Sequence, residues 1–325
     1  MAPEVNTFLA TLDLVCPPIP NSSASHVAKH EAAVNVMRQS DFYMICGRAE
    51  AEFRDVTLRV DEGEIHFTIE VKGGPSDTGF IRLLEIDEIS ESKNDLTLRV
   101  TYGSSSIEIY SMDIKGVEKP VMAFSPDYVL MRRGRKEAVI GGLDNYLPIA
   151  TYDLLYVGIA TAGDSFDRLF AKGHHARVKI LSDEPQRYPG ARVSDEIYLF
   201  LFNVDPLFIK SFGRNSNIED DDLNFSYDPK RLVSDAEKAF VSLLKPKYNS
   251  QLYKNYPRSQ DGFYKKGLTG YCYSVSEGMS FRTQYGSIKG GRERNITLSN
   301  DADFIAITGD EVRLHIAGVD HQISA

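Results

Sequence analysis

One stretch constrains the fold more than any other: Ile197 to Val204, apolar and aromatic at every position but Asn203. A run this short and this rich in bulky residues reads as a central strand buried on both faces. It predicts a sheet with material packed on each side. No apolar run reaches the roughly 18 residues of a membrane span, so no membrane association is expected.

The rest of the chain divides by pattern. A helix is expected from about His26 to Arg38, with apolar spacing at Val27, Ala32, Val34 and Val36. Val56, Leu58 and Val60 alternate with polar residues, a turn contains Gly63, and Ile65, Phe67, Ile69 and Val71 alternate again. That is the signature of a hairpin. Asp55-Val-Thr-Leu-Arg-Val60 returns as Asp95-Leu-Thr-Leu-Arg-Val100, which suggests a β-rich region built of similar hairpins. Leu154 to Ile159 reads as a compact strand, and Asp164 or Ser165 as the cap of a short helix through Ala171. A polar loop, 213–229, precedes a helix beginning at Ser234 and ended by Pro246. After Gly267, β-branched and aromatic residues alternate with Gly, Ser and Thr. The expected class is α+β in three domains: β-rich residues 1–130, a small mixed sheet with flanking helices at 136–255, and a small β-rich domain at 262–325.

Composition narrows the setting. The formal net charge is −9, which argues against indiscriminate binding to nucleic acid. The basic residues are clustered all the same: Arg132, Arg133, Arg135 and Lys136; Lys245, Lys247, Lys254 and Arg258; Lys289, Arg292 and Arg294. Cys16, Cys46 and Cys272 form no CxxC pair and read as free thiols in a reducing compartment. The N-terminus lacks a basic segment and carries Glu4, so no signal peptide is expected. The expected location is cytoplasmic.

Chemistry concentrates between residues 152 and 249. Tyr156-Val-Gly158 closes a strand, Arg168 follows on a helix, His174 and His175 come next, and Glu237 opens the helix that ends in Lys245-Pro-Lys-Tyr-Asn249. This order resembles the GIY-YIG nuclease superfamily. The resemblance implies a small mixed sheet flanked by helices and a metal-dependent endonuclease that hydrolyses DNA. Glu237 would bind Mg²⁺ or Mn²⁺, Arg168 would hold a phosphate oxygen, a tyrosine would take a proton from water, and His174 or His175 would assist it. A literal Gly-Ile-Tyr is absent upstream of Tyr156. Tyr146 and Tyr152 are its stand-ins, Tyr146 having the better spacing. Gly158, Lys245, Lys247 and Asn249 are the expected substrate contacts. Tyr156, Arg168, a histidine and Glu237 should meet in a shallow cleft beside strand 197–204. One such site cuts one strand, so double-strand cleavage would need a homodimer or two events. The flanking domains are left to choose targets, bind partner proteins or regulate.

Two other readings compete. Asp55, Glu70 and Lys72 have the D…ExK spacing of PD-(D/E)xK nucleases, where two carboxylates hold Mg²⁺ and a lysine orients water. Alternatively, Glu70 and Lys72 are the solvent face of an alternating strand. The GIY-YIG scaffold could also serve as a non-catalytic nucleic-acid-binding or interaction module. Gly290-Gly-Arg-Glu-Arg294 is a candidate phosphate-contacting loop tip, and Glu219 to Asp222 reads as a solvated acidic loop.

Overall fold

The apolar run lies in the long strand Ile197–Lys210 of a computed structural model, with every residue from Ile197 to Phe202 buried. The structure describes residues 6–91, 97–112, 116–160, 163–171, 173–212 and 227–319. The acidic run Glu219 to Asp222 lies outside them. The chain is α+β, and its described residues form three sheets.

The large sheet runs in the order Gly286–Lys289, Ser280–Thr283, Thr151–Ile159, Phe42–Gly47, Ile197–Lys210, Asn6–Leu14, Gly270–Val275, Phe304–Thr308 and Glu311–His315, with Ile19–Pro20 as a short addition. Its strands come from all three segments expected to be separate domains. Asn6–Leu14 is antiparallel to Ile197–Lys210 on one side and parallel to Gly270–Val275 on the other. The expected boundaries at 130–136 and 255–262 are therefore not boundaries of this sheet. Alternation within a strand reports which face is buried, not which distant strand lies alongside.

Both faces are covered. Phe42, Met44, Phe200 and Phe202 point to one side, where Leu232, Ala236, Ala239 and Phe240 of the helix Pro229–Leu244 meet them. Tyr43, Ile45, Leu199 and Leu201 point to the other, against Ala24, Met37, Phe166 and Ile180. The helix expected at 26–38 is two pieces, Ala24–Val27 and Glu31–Met37.

Residues 48–150 leave the large sheet after Gly47 and return at Thr151. They carry two antiparallel sheets. Ala51–Arg59, Glu64–Val71, Ser76–Arg82 and Ile140–Gly142 form one, and Thr97–Tyr102, Ile107–Met112 and Glu118–Phe124 form the other. The two Leu-Thr-Leu-Arg-Val-like segments thus belong to different sheets. At the base of the insertion, Arg48 is buried. It donates to Asp127 Oδ1 at 2.7 Å, the Ile149 carbonyl at 2.8 Å and the Tyr152 hydroxyl at 2.7 Å, and lies over the Tyr152 and Tyr198 rings.

Candidate active site

Phe42–Gly47 and Thr151–Ile159 pair antiparallel, with Tyr43 opposite Gly158 and Ile45 opposite Tyr156. Tyr152 and Leu154 belong to the core on the Pro229–Leu244 side. Strict alternation would send Tyr156 there too. The register slips between Leu154 and Tyr156, and such a bulge re-aims the residues beside it. Leu155 and Tyr156 both turn to the Tyr43 side. The Tyr43 and Tyr156 rings then lie 24° from parallel with centroids 6.1 Å apart. Gly158 permits this approach, because a Cβ there would stand 2.6 Å from both the Tyr43 hydroxyl and the Tyr156 ring.

His174 completes an aromatic triangle, with ring centroids 5.5 Å from Tyr43 and 5.2 Å from Tyr156. It is also the N-cap of the helix His175–Asp183: its Nδ1 accepts from the Arg177 backbone N–H at 3.0 Å. An accepting ring nitrogen carries no proton, so the neutral ring is protonated on Nε2. That Nε2–H donates to the Tyr43 hydroxyl oxygen, 2.8 Å away. Burial first, then the positive charges of Arg168 and Arg177, pull the His174 pKa down to about 4. The nearby Tyr43 hydroxyl favours the Tyr156 phenolate, although burial raises the Tyr156 pKa overall. Burial and the Glu237 charge oppose ionisation of Tyr156, and Arg168 favours it.

Arg168 lies on a wide helical turn of π type, Asp167–Ala171. Asp164 starts this segment, its Oδ1 accepting from the Asp167 N–H at 2.9 Å. Arg168 is exposed, and its positive charge opposes the rise that burial imposes on the Tyr43 pKa. Glu237 lies on the other side of the sheet, in Pro229–Leu244, and not on the Arg168 face as the expected single cleft required. That helix begins at Pro229 with Asp228 as its cap, so Glu237 sits in its middle and not at its opening. Desolvation raises the Glu237 pKa. Its Oε2 accepts from the Tyr253 hydroxyl at 3.2 Å. Its other oxygen accepts no hydrogen bond among the described residues.

The two sides meet around an open edge. Of the strand Thr151–Ile159, Ser280–Thr283 covers only Thr151 to Asp153. Farther along, the Tyr248 N–H donates to the Leu155 carbonyl at 3.0 Å. Asn249 Oδ1 accepts from the Val157 N–H at 2.9 Å, and its Nδ2 donates to the Val157 carbonyl at 2.8 Å. Beside this edge lies a cavity of about 730 Å³ lined by Tyr156, Arg168, Glu237, Lys238, Tyr253 and Lys254, among others. It is two strands away from Ile197–Lys210, not beside it as expected.

No protein-family model, curated protein or solved structure matches the chain.

Of the residues singled out in the sequence, Tyr156, Arg168 and Glu237 share the cavity, and His174 and Gly158 stand directly behind it. Tyr146 does not join them: its hydroxyl abuts Gly278, and Arg133 lies over its ring. Tyr152 is buried with Arg48 and Asp127. His175 is exposed on the first turn of its helix. Lys245 is the left-handed C-cap of its helix, with Nζ over the Tyr285 ring. Lys247 pairs with Glu184 at 2.7 Å. Asn249 commits both ends of its amide to Val157, so its place is structural. Arg292, of the expected phosphate-contacting tip, pairs with Asp13 at 2.8 Å.

Tyr43 was missed. The signal for it was the apolar string Phe42-Tyr-Met-Ile-Cys46, which reads as a strand ending at Gly47. Tyr253, which orients Glu237, had no sequence signal.

The rival carboxylate pattern is not assembled. Asp55 sits in a bulge with φ 50°. Glu70 pairs with Arg54 at 3.4 Å, and Lys72 pairs with Glu50 and Glu52 at 2.6 and 2.7 Å. A different group, Glu62, Glu64 and His66, brings three potential metal ligands within 4.8 Å of one another. Its members pair with Arg59 and Arg82.

The donor set at Glu237 fits a hard divalent cation. Mg²⁺ accepts a single protein carboxylate and keeps water and phosphate oxygens as its remaining ligands. The half-buried Glu237, with one oxygen uncommitted and facing the cavity, provides that.

Proposed function

We propose that this cleft is a metal-dependent phosphodiester hydrolase centre of GIY-YIG type and that its substrate is DNA. One observation carries the reading. Tyr156, Arg168 and Glu237 come from separate elements of the chain yet line one solvent-open cavity, with buried Tyr43 and His174 packed behind Tyr156. Their residue types are those that in-line attack of water on a phosphodiester needs.

Tyr156 faces the cavity and is the base that receives the proton of the attacking water. Its phenolate is favoured by the Tyr43 hydroxyl, whose own oxygen is fixed by the Nε2–H of His174. Tyr43 and His174 are positioning residues behind it. A neutral histidine suits this role, because it stays a single-tautomer donor across the working pH range. Arg168 reaches the same space and can hold a phosphoryl oxygen through its planar fork as negative charge builds there. Glu237 would hold Mg²⁺ or Mn²⁺, which supplies Lewis-acid stabilisation of the phosphate and leaving oxygen. The Tyr253 hydroxyl restricts which carboxylate oxygen is available.

The test is cleavage of labelled DNA with Mg²⁺ or Mn²⁺. Glu237→Ala should abolish it. Arg168→Ala should lower the rate on the order of 10²-fold to 10³-fold, as loss of a preorganised charge-stabilising donor does. Arg168→Lys should not fully restore it, since an ammonium lacks the bidentate fork. Glu70→Ala and Lys72→Ala should cut at the wild-type rate. The opposite pattern, loss in the last two and retention in the first two, would move the site to the insertion and sink this reading.

A further inference from the structure

The cleft has a second wall that its catalytic side chains do not require. Residues 251–262 fold back over the helix Pro229–Leu244 and face Arg168 across the cavity. This wall is firmly fastened. Buried Asp235, two positions before Glu237, accepts from the Phe263 N–H at 3.2 Å and from the hydroxyls of Tyr256 and Tyr273 at 2.9 and 2.8 Å. Arg231 donates to the Gly262 carbonyl at 2.9 Å, and Lys238 pairs with Asp261. The wall is a fixed feature of the site and not a loose loop across it.

Its charge runs against that of the chain. The cavity lining holds four cations, of which Lys238 is paired with Asp261 and Arg258 with Asp310, so that Arg168 and Lys254 are the two without a carboxylate partner among the described residues. The whole protein carries −9. Tyr253, Leu252 and Ile159 add aromatic and apolar surface to the same lining, with Lys238 Nζ over the Tyr253 ring. Phosphate-binding charge together with stacking surface is what a single strand uses, because every base has a π-face once it is unpaired.

Resting on the hydrolytic reading above, we infer that the cleft takes an unpaired DNA strand along Arg168, Tyr253 and Lys254, in preference to an intact duplex.

The experiment uses the full chain and one oligonucleotide sequence in three forms: single strand, blunt duplex, and duplex with an unpaired flap. Binding is followed by fluorescence anisotropy without divalent metal, and cleavage with Mn²⁺. The single strand and the flap should bind at least tenfold tighter than the duplex and be cut with at least tenfold higher kcat/KM. Lys254→Ala should raise KM for the single strand severalfold with kcat unchanged. It should also lessen the salt dependence of binding by about 0.7 in log–log slope, the value for one phosphate contact on a single strand. Equal or tighter duplex binding, or a Lys254→Ala protein with unaltered affinity and salt slope, would overturn the inference. The two proposals fail differently. Strand-selective binding without cleavage would remove the hydrolytic reading and leave strand selectivity standing. Cleavage of duplex as fast as single strand would do the reverse.

Discussion

The two ends of the hairpin formed by Phe42–Gly47 and Thr151–Ile159 carry the same side-chain types to opposite purpose. At the insertion end, Arg48, Asp127, Tyr152 and Tyr198 make a buried cluster in which the guanidinium meets a carboxylate, a carbonyl and two phenol oxygens. At the cleft end, Arg168, Glu237, Tyr43 and Tyr156 offer an arginine, a carboxylate and two tyrosines again. Here the arginine is exposed and the carboxylate keeps an oxygen without a protein donor. Residue types alone do not separate a structural ion pair from a reactive site. What separates them is whether the hydrogen-bonding capacity has been used up.

That contrast is testable by matched substitutions. The largest effect on stability should come from Arg48→Ala, which leaves Asp127 charged and dry. Loss of one partner of a buried pair costs roughly 3–5 kcal/mol. Arg168→Ala should change stability by about 0.5 kcal/mol or less, as expected for an exposed site. Denaturant midpoints of the two variants decide this. Equal losses would mean that the cleft arginine is as structural as the buried one.

Tyr43→Phe should act on rate more than on stability. It removes the hydroxyl that favours the Tyr156 phenolate, and a positioned proton-transfer group is worth on the order of 10²-fold. The ascending limb of the pH–rate profile should move to higher pH, because the Tyr156 phenol becomes harder to ionise. A fall in rate without that movement would reduce Tyr43 to a packing residue.

A smaller effect concerns acid. His174 is held neutral, with its pKa pulled down to about 4 from the ordinary value of 6.5. The unfolded chain binds this proton before the folded one does. The stabilisation from keeping His174 neutral is therefore complete above pH 6.5. It is lost progressively as the pH falls toward 4, with a slope of at most about 1.4 kcal/mol per pH unit. His174→Gln should flatten the decline in urea midpoint between pH 7 and 5. An unchanged decline would assign the acid sensitivity elsewhere.

Tyr156, Arg168 and Glu237 were named together through the resemblance in their order, and the structure lines one cavity with all three. The strand ending in Tyr156-Val-Gly158, the turn bearing Arg168, His174 and the helix of Glu237 lie within one stretch of sequence. The Val-Gly pattern had a steric reason that the structure supplies: only glycine leaves room for the two tyrosine rings. Tyr43 was not legible, since its partner strand lies on the far side of the 48–150 insertion and no spacing rule spans that distance. The bulge at Leu155 was hidden for a different reason. Leu154-Leu155 is apolar at both positions, so the alternation gives no sign of where the register slips. The three expected domains failed at the sheet. Asn6–Leu14 and Gly270–Val275 carry no mark of being neighbours, because parallel pairing between chain ends is a tertiary fact.

That parallel pairing also orders events in time. Asn6–Leu14 is made first, but its seat lies between Ile197–Lys210 and Gly270–Val275. The wall over Glu237 depends on Tyr273 in the second of these strands. A chain emerging from the ribosome therefore holds its first strand unpartnered until most of the remainder has been synthesised. Long-range closure of this kind is slow relative to local folding. The cavity is walled only once Gly270–Val275 has joined the sheet, so a product truncated before that strand would carry Arg168 and Glu237 without the wall.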